Sequence, residues 1–162
     1  PSPEGASMSE GRPSARTESK KEKTMTYWRL HYHLIWGTFE RQPLLTGEGE
    51  KVFYGVVYNK AKELGIKIHA AGNVDDHAHI VCSIPPRLSV AEVVRQLKGA
   101  SSFAINKLND GGEKFQWQAG YGALSVSERN LEQVMAYAIK QKEHHRNDKI
   151  MPVYEKIDSE ED

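Results

Sequence analysis

The chain has a single cysteine, Cys82, so no internal disulfide can form, and the residue falls inside an expected strand. A reducing, cytosolic setting fits. No run approaches the roughly 18 apolar residues of a membrane span, and the N-terminus lacks the apolar core of a secretory signal. Net charge is missing too, with 22 Lys and Arg against 22 Asp and Glu. Zero balance disfavours loose binding driven by phosphate neutralisation, although it leaves room for a local basic patch. The acidic end, Asp158 to Asp162, would lie apart from such a patch. Aromatics are absent from residues 1–24, which are rich in Ser, Glu, Lys, Gly and Pro and cannot bury enough surface to order themselves. We read 1–24 as a disordered leader or an appended tail whose Lys20, Lys21 and Lys23 could clamp DNA, 25–150 as one domain, and 151–162 as an acidic C-terminal tail. A chain of 162 residues suits one domain with a real core.

What is present begins near Thr26. Tyr27 to Thr38 is aromatic and β-branched enough for a strand, with Tyr32, Leu34 and Trp36 on one face and His31 and His33 on the other. Thr46 can cap a helix to Leu64, which Gly65 ends. Ile66 to Val74 and His77 to Ile84 read as strands joined at Asp75-Asp76. Ser89 and Glu92 form a capping box for a helix to about Leu108. Phe115 to Val126 is strand-like but interrupted by Gly120 and Gly122, and Ser127 opens a last helix to about Arg146. The first six elements give βαββαβ, a ferredoxin-like antiparallel sheet of the α+β class, with an additional C-terminal helix. After Pro152 a loose tail is expected.

His77 and His79 stand at i and i+2 on a strand, so both side chains share one face and could share one metal ion. By parity, Ala78, Ile80, Cys82 and Ile84 take the core face, which places the histidines on the face an antiparallel sheet commonly leaves open. His31 and His33 repeat the spacing on the first strand, and spacing alone does not choose between the pairs. On the last helix, Tyr137 and Gln141 sit at i and i+4 on one flank. A tyrosine hydroxyl, with a pKa near 10, is a weak nucleophile until a divalent cation polarises the phosphate it attacks. Attack yields a covalent phosphotyrosine and splits one hard step into two. Magnesium prefers oxygen ligands and manganese accepts imidazole more readily, so Mg2+ is expected in the cell, with Mn2+ able to replace it. Arg87, Arg95, Lys98, Lys107 and Lys114 could contact phosphates, and Trp117 and Tyr121 could stack unpaired bases.

The order of motifs is specific. Tyr32-His33-Leu34-Ile35-Trp36 is followed by Pro43-Leu44-Leu45-Thr46, Glu63-Leu64-Gly65 and Asp76-His77-Ala78-His79-Ile80-Val81, leading into Ser83-Ile84-Pro85-Pro86. Then come Leu97-Lys98-Gly99-Ala100-Ser101-Ser102, Trp117-Gln118-Ala119-Gly120-Tyr121-Gly122-Ala123, and Tyr137 with Gln141-Lys142-Glu143-His144-His145-Arg146. In this pattern the chain resembles the single-tyrosine HUH transposases of the small insertion-sequence type over nearly all of residues 27–146. The resemblance implies that His77 and His79 are the metal pair, which demotes His31, that Gln141 is the third ligand and that Tyr137 is the nucleophile. It implies cleavage and rejoining of single-stranded DNA at hairpin-bearing element ends through a 5′-phosphotyrosine that frees a 3′-hydroxyl. It also implies a homodimer in which the tyrosine helix can complete the partner's site, and a cytoplasmic, nucleoid-associated setting in a bacterial or archaeal cell. The residue between the histidines is usually bulky and apolar in such proteins. Here it is Ala78, so a small cavity or a compensating neighbour is expected. The alternative is a domesticated protein that binds nucleic-acid hairpins without cleaving them.

Overall fold

The structure is a computed structural model and describes residues 25–158. The leader, 1–24, and the last residues of the acidic end, 159–162, lie outside the described residues. Four strands, β1 (His31–Gly37), β2 (Lys67–Val74), β3 (His77–Ser83) and β4 (Gly122–Val126), form one sheet in the order β2-β3-β1-β4. All three pairings are antiparallel. With α1 (Gly47–Leu64) after β1 and α2 (Val90–Asn109) after β3, this is the expected ferredoxin-like arrangement.

Local chemistry explains the boundaries. Gly65 ends α1 at φ 73, a left-handed position where a Cβ is disfavoured, and its N–H returns to the Ala61 and Lys62 carbonyls. The Ser89 hydroxyl accepts from the Glu92 N–H and starts α2. The β-strand begins at His31, later than the aromatic stretch suggested. The third helical segment is also broken. α3 (Leu131–Ile139) and α4 (Gln141–Arg146) meet at Lys140, whose φ of −90 and ψ of 24 leave the α region.

Alternation along the strands builds two layers. Leu34, Trp36, Ala78, Ile80 and Cys82 face α1 and α2 and pack with Phe53, Val57, Leu97 and Ile105. The opposite face is not open, which corrects the expectation of exposed histidines. α3 lies across it, with Val134 and Ala138 packed on Ala70 and Val81. The approach is close: a Cβ at Gly72 would stand 1.6 Å from the Ala138 carbonyl oxygen. His33, His77 and His79 are consequently fully buried. No described helix is long and apolar enough to cross a membrane.

Ala78 has its compensating neighbour. Trp36 stands directly opposite it in the β1–β3 register and is itself fully buried. A large side chain beside a small one conserves core volume.

Candidate active site

The sheet face under α3 gathers the chemistry. His77 opens β3 beside the Asp75-Asp76 turn, and its Nδ1 lies 2.5 Å from Asp76 Oδ1. A carboxylate on Nδ1 holds the proton there and turns the Nε2 lone pair into the site. Arg41 braces the same carboxylate, with Nε 3.5 Å from Oδ2. Arg41 and Glu40 both have positive φ, 55 and 52, a strained pair at the lip of the site.

His79 is held differently. Its Nδ1 is 2.8 Å from His33 Nε2, and the two rings stack at 5.1 Å between centroids. Two neutral imidazoles share one proton across such a contact. If His79 Nδ1 donates and His33 Nε2 accepts, the His79 Nε2 lone pair is free to bind a cation. Burial, aided by the nearby His79, holds His33 down to about 3, so it stays neutral and able to accept. Burial also lowers His79. His77 moves the other way: burial pulls it down, but the nearby Asp76 and Glu155 carboxylates outweigh burial and raise it.

Tyr137 comes from α3 and Gln141 from the start of α4. Although the helix breaks between them, Gln141 Nε2 still donates to the Tyr137 carbonyl at 3.1 Å. That leaves Gln141 Oε1 pointing elsewhere, buried and without a hydrogen-bond partner. His77 Nε2 and His79 Nε2 are buried and lack hydrogen-bond partners too. Three orphaned donors, two imidazole nitrogens and an amide oxygen, suit a divalent cation. The Tyr137 ring lies 6.0 Å from His79 and stacks on His144 at 4.7 Å. It is only 4% exposed, not on a solvent-facing flank. Burial first, then a hydrogen bond to Glu155, pushes its hydroxyl up to about 12.

Residues 26–141 match the family model described as "Transposase IS200 like". The chain belongs to the IS200-like transposase family. Its relatives include the ISDra2 transposase TnpA of Deinococcus radiodurans, 31% identical over 127 residues, covering 74% of this chain and 89% of the relative. The transposase of insertion sequence element IS200 from Salmonella typhimurium is 26% identical over 73% of this chain and 80% of its own length. A solved structure of a candidate transposase from Deinococcus radiodurans superposes with a TM-score of 0.58 at 25% identity, covering 72% of this chain and 94% of that one. A REP-associated tyrosine transposase bound to a REP hairpin has the same fold, with a TM-score of 0.57 at 12% identity, covering 78% of this chain and 76% of that one.

In this transposase the four residues expected at the site, His77, His79, Tyr137 and Gln141, stand together. Those expected to touch DNA do not join them. Trp117 is in the core, against Phe115, Phe53 and Trp36, with its Nε1–H donated to Ser101 Oγ, so it has no free face for a base. Lys98 donates to the carbonyls of Gln118 and Gly120 and braces that loop. Arg87 donates to the Leu64 carbonyl, and Arg95 pairs with Glu92 on the outer face of α2. His31 binds Ser83 Oγ near the far end of β3 from His77.

Three contributors were not identified from the sequence. His33 was visible only as a rival to the metal pair, yet it supports His79. Arg41 borders a cleft of about 540 Å³ that also touches Gln118 and Glu155. Glu155 itself reaches the site from the segment after Pro152, which is not loose. There Tyr154 packs on His33 and Tyr137, and Glu155 Oε1 accepts from the Tyr137 hydroxyl at 2.5 Å. The available signal was the apolar run Ile150-Met151-Pro152-Val153-Tyr154 just before Glu155, which a solvated tail has no reason to carry.

Proposed function

We propose that this transposase cleaves and rejoins single-stranded DNA at hairpin-bearing element ends, with Tyr137 as nucleophile and His77, His79 and Gln141 holding a divalent cation, Mg2+ in the cell and Mn2+ as a substitute. The observation that supports the reading is that His77 Nε2, His79 Nε2 and Gln141 Oε1 are all buried without hydrogen-bond partners, with the His79 ring 5.1 Å from that of His77 and 6.0 Å from that of Tyr137. The orientation of each donor is set by a second contact: Asp76 for His77, His33 for His79, and the Tyr137 carbonyl for Gln141.

His77, His79 and Gln141 would hold a cation there, and it would supply neutralisation of charge on the scissile phosphate. Tyr137 Oη attacks phosphorus and forms the new P–O bond. The bond to the 3′-oxygen breaks, and that oxygen leaves with a proton as a 3′-hydroxyl. The 5′ side stays on Tyr137, and a later 3′-hydroxyl reverses the step and rejoins the strand. The phenolic proton must leave during attack, and Glu155 Oε1 is already its hydrogen-bond acceptor. Arg41 at the cleft gives a cation for backbone phosphates. Lys98, next to the same cleft through Gln118, would extend the contact, whereas Arg87 and Arg95 lie away from it. Hairpin recognition is the partner chemistry we propose, in keeping with the hairpin held by the REP-associated relative. We also propose a homodimer. The Tyr137 ring lies 6.0 Å from His79 of its own chain, which supports use of the tyrosine without exchange of its helix between partners.

A denaturing gel tests this reading. The full chain is mixed with single-stranded DNA bearing imperfect hairpins, with Mg2+ or with a chelator. A covalent adduct that requires Mg2+ and disappears in His77→Ala and His79→Ala is expected. Tight binding to several hairpins with no adduct would contradict cleavage and favour the non-cleaving hairpin-binding protein.

A further inference from the structure

Glu155 lies beyond the residues that match the family model, so the donor set implied by resemblance does not include it. Its position is nevertheless specific. Oε2 is 3.1 Å from His77 Nε2, 3.5 Å from His79 Nε2 and 3.8 Å from His145 Nε2. Neither His77 Nε2 nor His79 Nε2 has hydrogen-bond geometry to it, or to any other group described. Such spacing, short enough for an ion pair, also fits ligands of one shared cation. Two ligand atoms each about 2.1 Å from one ion stand ~3.0 Å apart at an octahedral angle and ~3.4 Å at a tetrahedral one. His77 and Glu155, with His145, also form a cluster whose donor atoms all lie within 4.8 Å of one another.

The backbone that carries Glu155 is docked on both sides. Upstream, the Met151 N–H donates to Tyr137 Oη at 3.0 Å, and Tyr154 packs on Tyr137 and His33. Downstream, the Lys156 carbonyl sits over β4, where a Cβ at Gly122 would come within 2.0 Å of it. The carboxylate is 15% exposed, and a group that buried needs a charged partner.

We infer that Glu155 is a fourth protein ligand of the cation held by His77, His79 and Gln141, and that its second oxygen ties the Tyr137 hydroxyl to that cation. This inference rests on the metal site proposed above. Two nitrogens and two oxygens, one of them charged, form a harder donor set than the three alone, which favours Mg2+ and Mn2+ over softer ions. An ion taking six ligands keeps two positions for phosphate oxygens. The nucleophile is held one carboxylate away from those positions, so attacking and attacked atoms share one frame.

The test uses the full chain and Mn2+ alone, without DNA, reading free Mn2+ by its paramagnetic resonance signal. Wild type binds, Glu155→Gln binds about 10-fold or more weakly, and Glu155→Asp recovers part of the loss. Gly122→Val alters no donor atom, yet it pushes the Lys156 carbonyl away and weakens Mn2+ binding as well. Thermal melts of each variant separate loss of a ligand from loss of the fold. Glu155→Gln that melts like wild type and binds Mn2+ equally tightly overturns the inference. So does a Glu155→Gln variant that forms more DNA adduct at unchanged Mn2+ affinity, which would make the carboxylate a plug standing in the phosphate's place. If wild type binds Mn2+ and only the role of Glu155 fails, the three-ligand site stands. If wild type binds none, the metal site falls with it.

Discussion

The two faces of the sheet are made from the same strands, and alternate residues send them to opposite fates. On one side Leu34, Trp36, Ala78, Ile80 and Cys82 pack against two long helices in a layer that is almost wholly apolar. On the other, His33, His77 and His79 are just as buried, but beneath a nine-residue helix, a six-residue helix and a C-terminal segment. The first face is held by apolar contact, with Trp36 Nε1 buried in it without a hydrogen-bond partner. The second leaves His77 Nε2, His79 Nε2 and Gln141 Oε1 without hydrogen-bond partners, the two imidazole nitrogens facing Glu155 Oε2. Unpaired buried polar atoms cost roughly 1–3 kcal/mol each. The α1/α2 layer supplies the stability that lets the other layer keep them. Stability and chemistry are therefore separable in this protein, residue by residue along a strand.

Substitutions that strike one face should show the separation. The largest effect belongs to Gly72→Val. The new side chain would meet the Ala138 backbone, lift α3 and abolish both Mn2+ binding and adduct formation. The near-ultraviolet signal of Trp36 and Trp117, on the opposite face, should persist. Its loss would show the faces to be one cooperative unit. Phe53→Ala, in the apolar layer, should cost about 3–5 kcal/mol in urea unfolding while Mn2+ affinity of the folded protein holds. Ala78→Leu should cost about 1–3 kcal/mol by overpacking against Trp36, again with the metal site intact. His33→Phe keeps the ring volume but removes the acceptor for His79, and should weaken Mn2+ binding about 10-fold in calorimetric titration with little change in melting. The smallest effect is at Cys82. Burial pushes its thiol up to about 12, so at pH 8 the folded protein has almost no thiolate. Alkylation should be negligible in the native state and fast in denaturant, where the thiol returns to its ordinary range. Rapid native labelling would show that the apolar layer opens.

Much of this was readable from the chain. Strand parity separated Ala78 and Ile80 from His77 and His79 because side chains alternate in a strand whatever covers them. Gly65 and Ser89 announced helix ends through local backbone chemistry alone. Tyr137 and Gln141 could be paired because i and i+4 neighbours survive even the break at Lys140. What covers a face is not local. The pattern of β3 carries no information about α3 lying over it, so the histidines were expected on an open surface. An aromatic beside glycines reads alike in a loop and in a core, so the sequence alone presents Trp117 as a stacking platform. Its partner Ser101 is 16 residues away. Glu155 was the hardest. It follows a short apolar run, Ile150 to Tyr154, that signals docking but not where, and only its contacts with Tyr137 and His77, both distant in sequence, give it meaning.

The central claim is that Tyr137, on the polar face, is the residue that bonds to DNA. The direct test is to trap the adduct with single-stranded hairpin DNA and Mg2+, digest protein and DNA, and locate the residual nucleotide by mass spectrometry. Tyr154 is the right control, because its ring lies only 5.0 Å from that of Tyr137 in the same site. The account predicts a 5′-phosphoryl nucleotide on the Tyr137 peptide and none on Tyr154, with the modification gone in Tyr137→Phe. A nucleotide on Tyr154, or an adduct that survives Tyr137→Phe, would contradict it.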